Sequence, residues 1–193
     1  MTLTERQREI IENAVEIIAR QGIQELTIKN LSSSMHISEP ALYRHFENKH
    51  AILVAILEYF AGWSVGALTE IADSEAPPEE QLREVFRRHI SHFAESPATS
   101  GVLFAEEIFK NEPALARTVL QIMATAERTV RGILQKGINS GVFRSDVPLD
   151  NLVMSTLGPL RLLVTQWRLR GYDFDLRRRG EALADSVVTM VSA

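Results

Sequence analysis

Apolar residues recur every three or four positions along most of this chain, the spacing that puts them on one face of a helix. The first such run, from Ile10 to Ile18, follows a candidate capping box of Thr4 and Gln7 and ends at Gly22. No segment shows the alternation of apolar and polar residues that a half-buried strand requires. The pattern therefore predicts an all-α protein.

The remaining periodic segments predict helices at about 49–71, 79–95, 99–110, 112–139, 149–170 and 175–191. Stretches with proline and glycine separate them, and the clearest linker is 73–78, which has two prolines and no apolar period. Gly158 and Pro159 fall inside the helix at 149–170. They predict a kink there, or a close approach of another helix.

Two short helices are predicted between Gly22 and the long helix that starts near residue 49. Side-chain caps are available for these two and for the long helix: Thr27, Ser38 and Asn48. Met35 and His36 supply the turn, and Pro40 falls in the first turn of the second helix, where a missing N–H costs little. A pair of helices joined in this way is typical of a helix-turn-helix DNA-binding motif.

The second helix of the pair carries the residues expected to meet DNA. Small and polar residues at its start would let it approach base edges: Ser38, Glu39, Pro40 and Ala41. Phosphate contacts are expected from Tyr43, Arg44, His45 and Lys49, and Thr27 and Lys29 complete the DNA-binding set. Lys49 is included because a cation near a helix N-terminus is unfavourable without an anionic partner. The alternatives are a purely capping Ser38 and a solvated helix end at 43–45.

Charge alone does not predict nucleic-acid binding. The chain carries 21 Lys and Arg against 25 Asp and Glu, a net charge of −4. Within the motif, Lys29, Arg44 and Lys49 are opposed by Glu39 and Glu47, which leaves a weak positive balance. The DNA-binding interpretation therefore depends on the motif, in which helix N-termini and neutral donors can supplement a few cations at the phosphates.

The same segment resembles the N-terminal signature of the TetR family of bacterial transcriptional regulators. The matching residues, in order and spacing over roughly the first 55 positions, are Gly22, Thr27, Ile28, the run 37–46, Lys49 and Leu53. His36 stands where many members have glycine, and histidine tolerates a left-handed backbone at some cost. Ser32 stands where the family usually has alanine, so its hydroxyl must be exposed or bonded back to the helix.

The resemblance implies a three-helix helix-turn-helix DNA-binding head at 1–50 and a larger helical body at 51–193 that binds an effector and dimerises. The loop 137–144 resembles the one before the last two helices of many members, which pack against their copies as a four-helix bundle. The side chains offered for that packing are Leu152, Val153, Thr156, Leu157, Leu160, Leu163, Val164 and Trp167 in one helix, and Leu176, Leu183, Val187, Val188, Met190 and Val191 in the other.

A cavity for an unidentified small-molecule effector is also implied among the middle helices. Its candidate lining is Phe60, Trp63, Phe86, His89, Phe93, Phe104, Met123 and Trp167, with His92 and Thr125 as further polar candidates. Each apolar member can equally be a core residue. His89 and His92, followed by Glu106 and Glu107, have donor types suited to a metal, but nothing completes a ligand set, and neither metal nor cofactor is predicted.

Composition limits the remaining choices. The absence of cysteine excludes disulfides and thiolate metal sites. Charged residues interrupt the first apolar run, which argues against a signal peptide, and no stretch is expected to be apolar enough to span a membrane. Together with the resemblance to the TetR family, these limits predict a cytoplasmic, homodimeric, ligand-responsive repressor that binds double-stranded operator DNA and is not an enzyme. The alternatives are a related DNA-binding protein without an effector, concerned with chromosome organisation or division, and, less favoured, a helical metalloenzyme.

Overall fold

The computed structural model describes residues 3–104 and 113–193. These ranges contain nine α-helices: α1 Glu5–Gln21, α2 Ile28–Ser34, α3 Glu39–Tyr43, α4 Lys49–Asp73, α5 Pro78–Glu95, α6 Pro97–Leu103, α7 Pro113–Asn139, α8 Leu149–Leu169 and α9 Leu176–Val191. A 3-10 helix at Ile23–Glu25 follows α1, and an isolated antiparallel bridge joins Phe143 to Ser192. The all-α prediction is confirmed.

Side chains cap the first four helices where the sequence predicted caps. Thr4 and Gln7 make both hydrogen bonds of the capping box at α1. At α2 and α3, the hydroxyls of Thr27 and Ser38 accept hydrogen bonds from the amides three residues further on. At α4, Oδ1 of Asn48 accepts from the amide of the third residue after it at 2.9 Å. These caps satisfy amides that have no partner within their helix, and so they set where each helix begins.

One compact unit comprises, among the described residues, 3–62, 96–104 and 113–120. Its N-terminal part has a core of apolar side chains that are at most 7% exposed: Ile10, Ala14, Ile17, Ile18, Leu26, Leu31, Leu42, Phe46, Ile52 and Leu53. The short helices α2 and α3 are too short to be stable alone, and this shared core is what holds them.

The second unit comprises residues 63–95 and 121–193. Its core brings together α4, α5, α7, α8 and α9 through Leu68, Ile71, Leu82, Val85, Val130, Ile133, Leu134, Phe143, Leu152, Val153, Val188 and Val191. Two glycines permit close contacts. A Cβ on Gly137 would lie 2.0 Å from the ring of Phe143, and one on Gly180 in α9 would lie 2.7 Å from the side chain of Ile90 in α5. Any side chain at either position would overlap its neighbour.

The chain passes from the first unit to the second within α4, between Gly62 and Trp63, returns to the first between Glu95 and Ser96, and enters the second again within α7, between Leu120 and Gln121. The division predicted from sequence, a head at 1–50 and a body at 51–193, is a division by function and stays a prediction. The helix expected at 99–110 begins at Pro97 and runs to Leu103; its remainder, with Glu106 and Glu107, lies outside the described residues.

The surface expected to form the dimer needs correction. Most of the side chains offered for it are buried within the chain's own second unit: Leu152, Val153, Thr156, Leu160, Leu163, Val164, Trp167, Leu176, Val187, Val188 and Val191. Leu157 and Leu183 are half-buried, and Met190 is exposed. Helical periodicity indicates that one face is buried but not against what, and here α8 and α9 bury that face against each other and α5.

The sequence predicted a kink at Gly158 and Pro159, or a close approach of another helix. Pro159 lies inside α8, and a Cβ on Gly158 would meet no atom within 4 Å, so no close approach is made at Gly158 within the described part of the chain; the kink stays a prediction.

The expectation that no stretch is apolar enough to span a membrane needs correction. Helix α4 is long and apolar enough to cross a membrane by length and composition, with a mean hydropathy of 1.8 over its most apolar window. Half of that window is buried inside the protein, and core helices of globular proteins share this composition.

Candidate nucleic-acid interface

The turn between α2 and α3 is built from backbone hydrogen bonds and one left-handed residue. His36 has φ 54°, the conformation that a glycine would adopt more easily. The amide of Ile37 donates to the carbonyl of Ser32 at 3.0 Å, which closes the turn. Ser32 is buried, and its hydroxyl donates to the carbonyl of Lys29 at 3.0 Å. Both departures from the family pattern are thus accommodated as the sequence allowed, the histidine in a left-handed turn and the serine bonded back to its helix.

Helix α3 presents its first residues outward. Ser38, Glu39 and Pro40 are exposed and Ala41 is half-buried, while Leu42 is fully buried and anchors the helix in the core. The cap at Ser38 uses its hydroxyl as an acceptor from the amide of Ala41 at 3.3 Å, so the hydroxyl hydrogen is left to donate elsewhere. Capping and an outward contact are therefore compatible at Ser38.

The other side chains of the predicted DNA-binding set lie on and around the same two helices. Tyr43 is 49% exposed, Arg44 and Lys29 are exposed, and His45 is half-buried. Thr27 is exposed while its hydroxyl accepts the capping hydrogen bond from the amide of Asn30 at 3.0 Å. All of them belong to the compact unit that contains α3. Their assignment to DNA stays a prediction.

Lys49 has a partner that the sequence did not indicate. Its Nζ donates to the carbonyl of Ile23 at 3.1 Å, so the lysine ties the start of α4 to the 3-10 helix after α1. Partial burial lowers the pKa of Lys49. A backbone carbonyl thus serves as one acceptor for this lysine, so its place at the helix N-terminus does not by itself require a phosphate; its assignment to DNA stays a prediction. Two of its three protons remain for another acceptor.

Two other side chains hold the head together and were missed at the level of sequence. Nε2 of Gln7 donates to the carbonyl of His45 at 3.3 Å, which links the first turn of α1 to the end of α3. Nδ2 of Asn30 donates to the carbonyl of Glu25 at 2.9 Å, which links α2 to the 3-10 helix. No periodicity or cap rule signals such bonds, because their acceptors are backbone atoms that come near only in the folded chain.

The second unit contains a cluster of aromatic and imidazole rings, formed by Trp63, His89 and His92. The ring of His92 stacks on Trp63 with centroids 4.0 Å apart, and His89 meets the same indole edge-on at 5.5 Å. Nδ1 of His89 lies 2.8 Å from the carbonyl of Val85, and its Nε2 lies 3.3 Å from Oγ of Ser64. A carbonyl can only accept, so Nδ1 carries the proton and Nε2 accepts from the serine hydroxyl.

Burial dominates the protonation of both imidazoles. It lowers the pKa of His89, and the hydrogen bond from Nδ1 to Val85 offsets only part of that. It also lowers the pKa of His92 to about 4, with a further lowering by His89 and an opposing effect of Glu95. Both rings are therefore neutral near pH 7, and the cluster supplies hydrogen-bonding groups without charge.

The other residues predicted to line the cavity lie in both units and outside the cluster of Trp63, His89 and His92. Phe60 and Phe104 belong to the first unit, and Phe86 and Phe93 are buried in the second. Met123 is 38% exposed, with its Sδ 4.0 Å from the guanidinium of Arg161. Trp167 packs edge-on against Tyr172 at 4.6 Å and donates from Nε1 to the carbonyl of Phe174 at 3.0 Å, which places it beside the loop between α8 and α9. The contacts among the predicted residues include Trp63 with His89, and Phe93 edge-on with His92 at 6.1 Å. The cavity itself stays a prediction.

Within the ranges that the structure describes, no group of three or more histidine, aspartate or glutamate side chains is arranged to hold a metal ion. Both nitrogens of His89 are engaged by Val85 and Ser64. The two glutamates considered as ligands, Glu106 and Glu107, lie outside the described residues.

Two family models match this chain. The model of the bacterial regulatory proteins of the tetR family matches residues 10–56. A model described as a tetracyclin repressor-like C-terminal domain matches residues 75–191, more than half of the chain. The fatty acid metabolism regulator protein of Bacillus subtilis strain 168 is 24% identical over 183 residues, which cover 95% of this chain and 92% of that protein.

Solved structures share the fold over nearly the full length. The ketosteroid transcriptional regulator KstR2 of Mycobacterium tuberculosis has a TM-score of 0.82 at 19% identity, covering 100% of this chain and 97% of that chain. The transcriptional regulator FadR from Bacillus subtilis, in complex with stearoyl-CoA, has a TM-score of 0.78 at 24% identity, covering 97% of each chain.

The helical fold and its N-terminal motif define a helix-turn-helix regulator of transcription. The chain belongs to the TetR family of bacterial regulatory proteins. Its relatives are named as regulators of transcription, so its assignment to regulation and not to catalysis is confirmed.

Proposed function

We propose that this chain is a ligand-responsive, homodimeric repressor that binds a palindromic operator through two copies of its head. The observation that carries the proposal is the start of α3, where Ser38, Glu39 and Pro40 point away from a helix anchored by buried Leu42. A recognition helix needs this combination, because exposed side chains on a firmly held helix can reach base edges in the major groove. Membership of the TetR family supports the same activity.

The contacts to DNA divide into two kinds. Ser38, Glu39, Pro40 and Ala41 would face base edges and set which sequence is preferred. Thr27, Lys29, Tyr43, Arg44 and His45 would contact phosphates, and Lys49 would do so with the protons that Ile23 leaves free. With a net charge of −4 the chain has little long-range attraction for DNA, so these few contacts must supply most of the affinity.

The dimer is proposed to form through the outward face of α8, not through the buried face that the apolar pattern first suggested. Met154, Leu162 and Leu169 are 64%, 58% and 76% exposed and recur at helical spacing along that face. Gly158 lies between the first two, with open space where a side chain would be, so a helix of a second copy could approach closely. Met190 on α9 adds another exposed apolar side chain. A stripe of this kind on a globular protein marks an interaction surface.

The dimer has a direct test with a matched control. Leu162→Arg should give monomers by analytical ultracentrifugation and should weaken operator binding at least tenfold, because each head then binds without its tethered copy. Gln135→Arg places the same charge on an exposed position of α7 and should leave both properties unchanged. If Leu162→Arg stays dimeric at micromolar concentration, the outward face of α8 is not the interface.

The effector is proposed to be a small molecule bound in the helical body, and acyl-coenzyme A thioesters are the first class to test. FadR of Bacillus subtilis was solved with stearoyl-CoA, and this chain shares its fold. The predicted lining of aromatic side chains with the neutral His89 suits an apolar ligand that carries a few polar atoms. An effector that prefers the state with the heads apart would weaken operator binding by a coupling free energy of about 1–3 kcal/mol.

Selection of bound fragments from a random DNA pool tests the central proposal. A palindromic consensus should be recovered, and Glu39→Ala should change the preferred bases. Stearoyl-CoA is then titrated against the complex with that operator, with free coenzyme A as the control. If no sequence is enriched, operator binding is contradicted. If an operator is found but no thioester releases the protein from it, the chain is a TetR-like DNA-binding protein without this effector. Such a regulator is expected to act in the cytoplasm.

A further inference from the structure

A groove of about 350 Å³ lies on the second unit, where the end of α4 meets the middle of α7. Asp73 lines it from α4, and Arg128, Thr129, Gly132 and Lys136 line it from α7. Its volume is in the range of small-ligand sites. The side chains on α7 recur at intervals of three and four, so they form one stripe along the groove.

One cationic side chain lies at each end of this stripe. Arg128 and Lys136 are eight residues apart, which puts their Cα atoms about 12 Å apart along the helix. Arg128 is exposed and has no carboxylate partner in the described part of the chain, whereas neighbouring Arg131 pairs with Asp150 at 2.6 Å. Against these two cations the groove has one acid, Asp73, so its lining is net positive in a chain with a net charge of −4.

Lys136 is held in position over the groove. Its Nζ donates to the carbonyl of Ala72 at 2.9 Å, near the end of α4. An ammonium has three donors, so two remain for a ligand. The carbonyl thus holds the lysine side chain in place without neutralising its charge. Because the side chain is already ordered, less conformational entropy is lost when an anion binds to it.

The middle of the stripe is open. Gly132 lies one turn from each cation, and a Cβ there would meet no atom within 4 Å. The hydroxyl of Thr129 has no hydrogen-bond partner among the described residues. Arginine and lysine side chains are long enough to converge over the glycine from both sides, with the hydroxyl as a neutral donor beneath.

We propose that this groove binds an organic diphosphate, with Arg128 on one phosphate, Lys136 on the other and the organic part along the remaining wall. A diphosphate matches two cations at opposite ends of the stripe, because each phosphate then has its own charged donor. The apolar part of the wall, which includes Ile133, suits a ligand with an organic portion and not a bare ion. Binding here does not require the interior effector.

The test is isothermal titration of the full chain with adenosine diphosphate, inorganic diphosphate and adenosine at low ionic strength. Adenosine diphosphate should bind saturably, inorganic diphosphate more weakly, and adenosine not measurably. Arg128→Gln and Lys136→Met should each weaken adenosine diphosphate at least tenfold, the effect of losing one charge-assisted hydrogen bond. If adenosine diphosphate and inorganic diphosphate bind equally well, the groove recognises only the diphosphate group. The proposal that it also binds the organic portion of the ligand would then be wrong.

Two further variants separate the site from general attraction and from misfolding. Gly132→Leu fills the open middle of the groove; it should abolish binding while keeping the fold, since leucine favours the helix more than glycine does. Arg117→Gln removes an exposed cation from the same helix outside the groove and should leave the affinity unchanged. The proposal is wrong if the wild-type chain does not bind adenosine diphosphate saturably, or if Arg117→Gln weakens it as much as Arg128→Gln does.

Discussion

The helix-turn-helix head and the second unit are both helical, but their sequences encode them differently. In the head, α1, α2 and α3 begin at Thr4, Thr27 and Ser38, each of which bonds to an amide three residues on. In the second unit, α8 begins after Pro148 with no side-chain cap, whereas Asp175 caps α9 by accepting from the amide of Arg178 at 3.0 Å. Local hydrogen bonds thus mark the start of α1, α2 and α3, whereas the core around α8 depends on contacts between residues far apart in the chain.

The difference shows in what an apolar pattern can and cannot reveal. In the head, the apolar positions belong to short capped helices arranged as in a known motif. The apolar pattern and the motif therefore predict the same buried faces. On α8 and α9, the buried residues Leu160 and Val187 and the exposed residues Leu162 and Met190 are chemically alike. Helix periodicity separates two faces without saying which one is covered by the same chain.

The largest effect should come from charging the buried face of α9. Val187 is fully buried, and Val187→Arg should cost more than about 4 kcal/mol of unfolding free energy because an unpaired charge is placed in the core. Leu162→Arg, on the exposed face of α8, should change the unfolding free energy of the monomer by less than about 1 kcal/mol. Urea unfolding followed by circular dichroism measures both. Similar losses in the two variants would remove the distinction between the two faces.

The next effect concerns two glycines inside the last two helices. Gly180→Ala places a methyl against Ile90, whose β-branched side chain cannot easily move away, and should destabilise the protein by about 1–3 kcal/mol. Gly158→Ala meets open space and should stabilise the monomer by about 0.5–1 kcal/mol through helix propensity. Thermal unfolding of both variants provides the comparison. A stabilising Gly180→Ala would show that α5 and α9 can separate at little cost.

Acid should destabilise the second unit through its imidazoles. Burial lowers the pKa of both His89 and His92, the latter from 6.5 to about 4, so the folded state binds fewer protons than the unfolded state between these values. Stability is therefore full above about pH 6.5 and falls as the pH drops toward 4. Because His92 is partly solvated, we expect a loss of about 1–2 kcal/mol between pH 7 and pH 5. His92→Phe should flatten this dependence in urea unfolding at the two pH values, whereas an unchanged slope would assign it to other groups.

The smallest effect separates two lysines of the head. Lys29→Gln should lower the slope of log affinity against log salt by about 1.8, which is about 0.9 for each of the two phosphate contacts that the homodimer loses, with no change in stability. Lys49→Gln should lower the slope similarly and also cost about 1 kcal/mol of stability, because the bond to Ile23 is lost. Operator titrations at several salt concentrations and thermal unfolding give the two readouts. If Lys49→Gln lowers the stability but leaves the salt slope unchanged, Lys49 contributes to the fold and not to phosphate binding.

Much of the candidate DNA interface could be predicted because its signals are local. The caps at Thr27 and Ser38, the turn at His36 and the position of Pro40 each depend on residues within a few positions of one another. The bonds from Gln7 to His45 and from Lys49 to Ile23 could not be predicted, since each joins a side chain to a distant backbone atom. The cluster of Trp63, His89 and His92 was predicted only as a set of candidates, because contact between helices depends on their packing.

The sequence by itself determined that this chain is helical, where its N-terminal helices begin and that it carries a helix-turn-helix motif, since helix propensity, caps and turns act over a few residues. Only the tertiary structure decided which face of α8 is covered, why α9 needs glycine at Gly180 and which side chains line the groove along α7. Those properties depend on pairs such as Ile90 and Gly180 that are far apart in the chain and meet only when it folds.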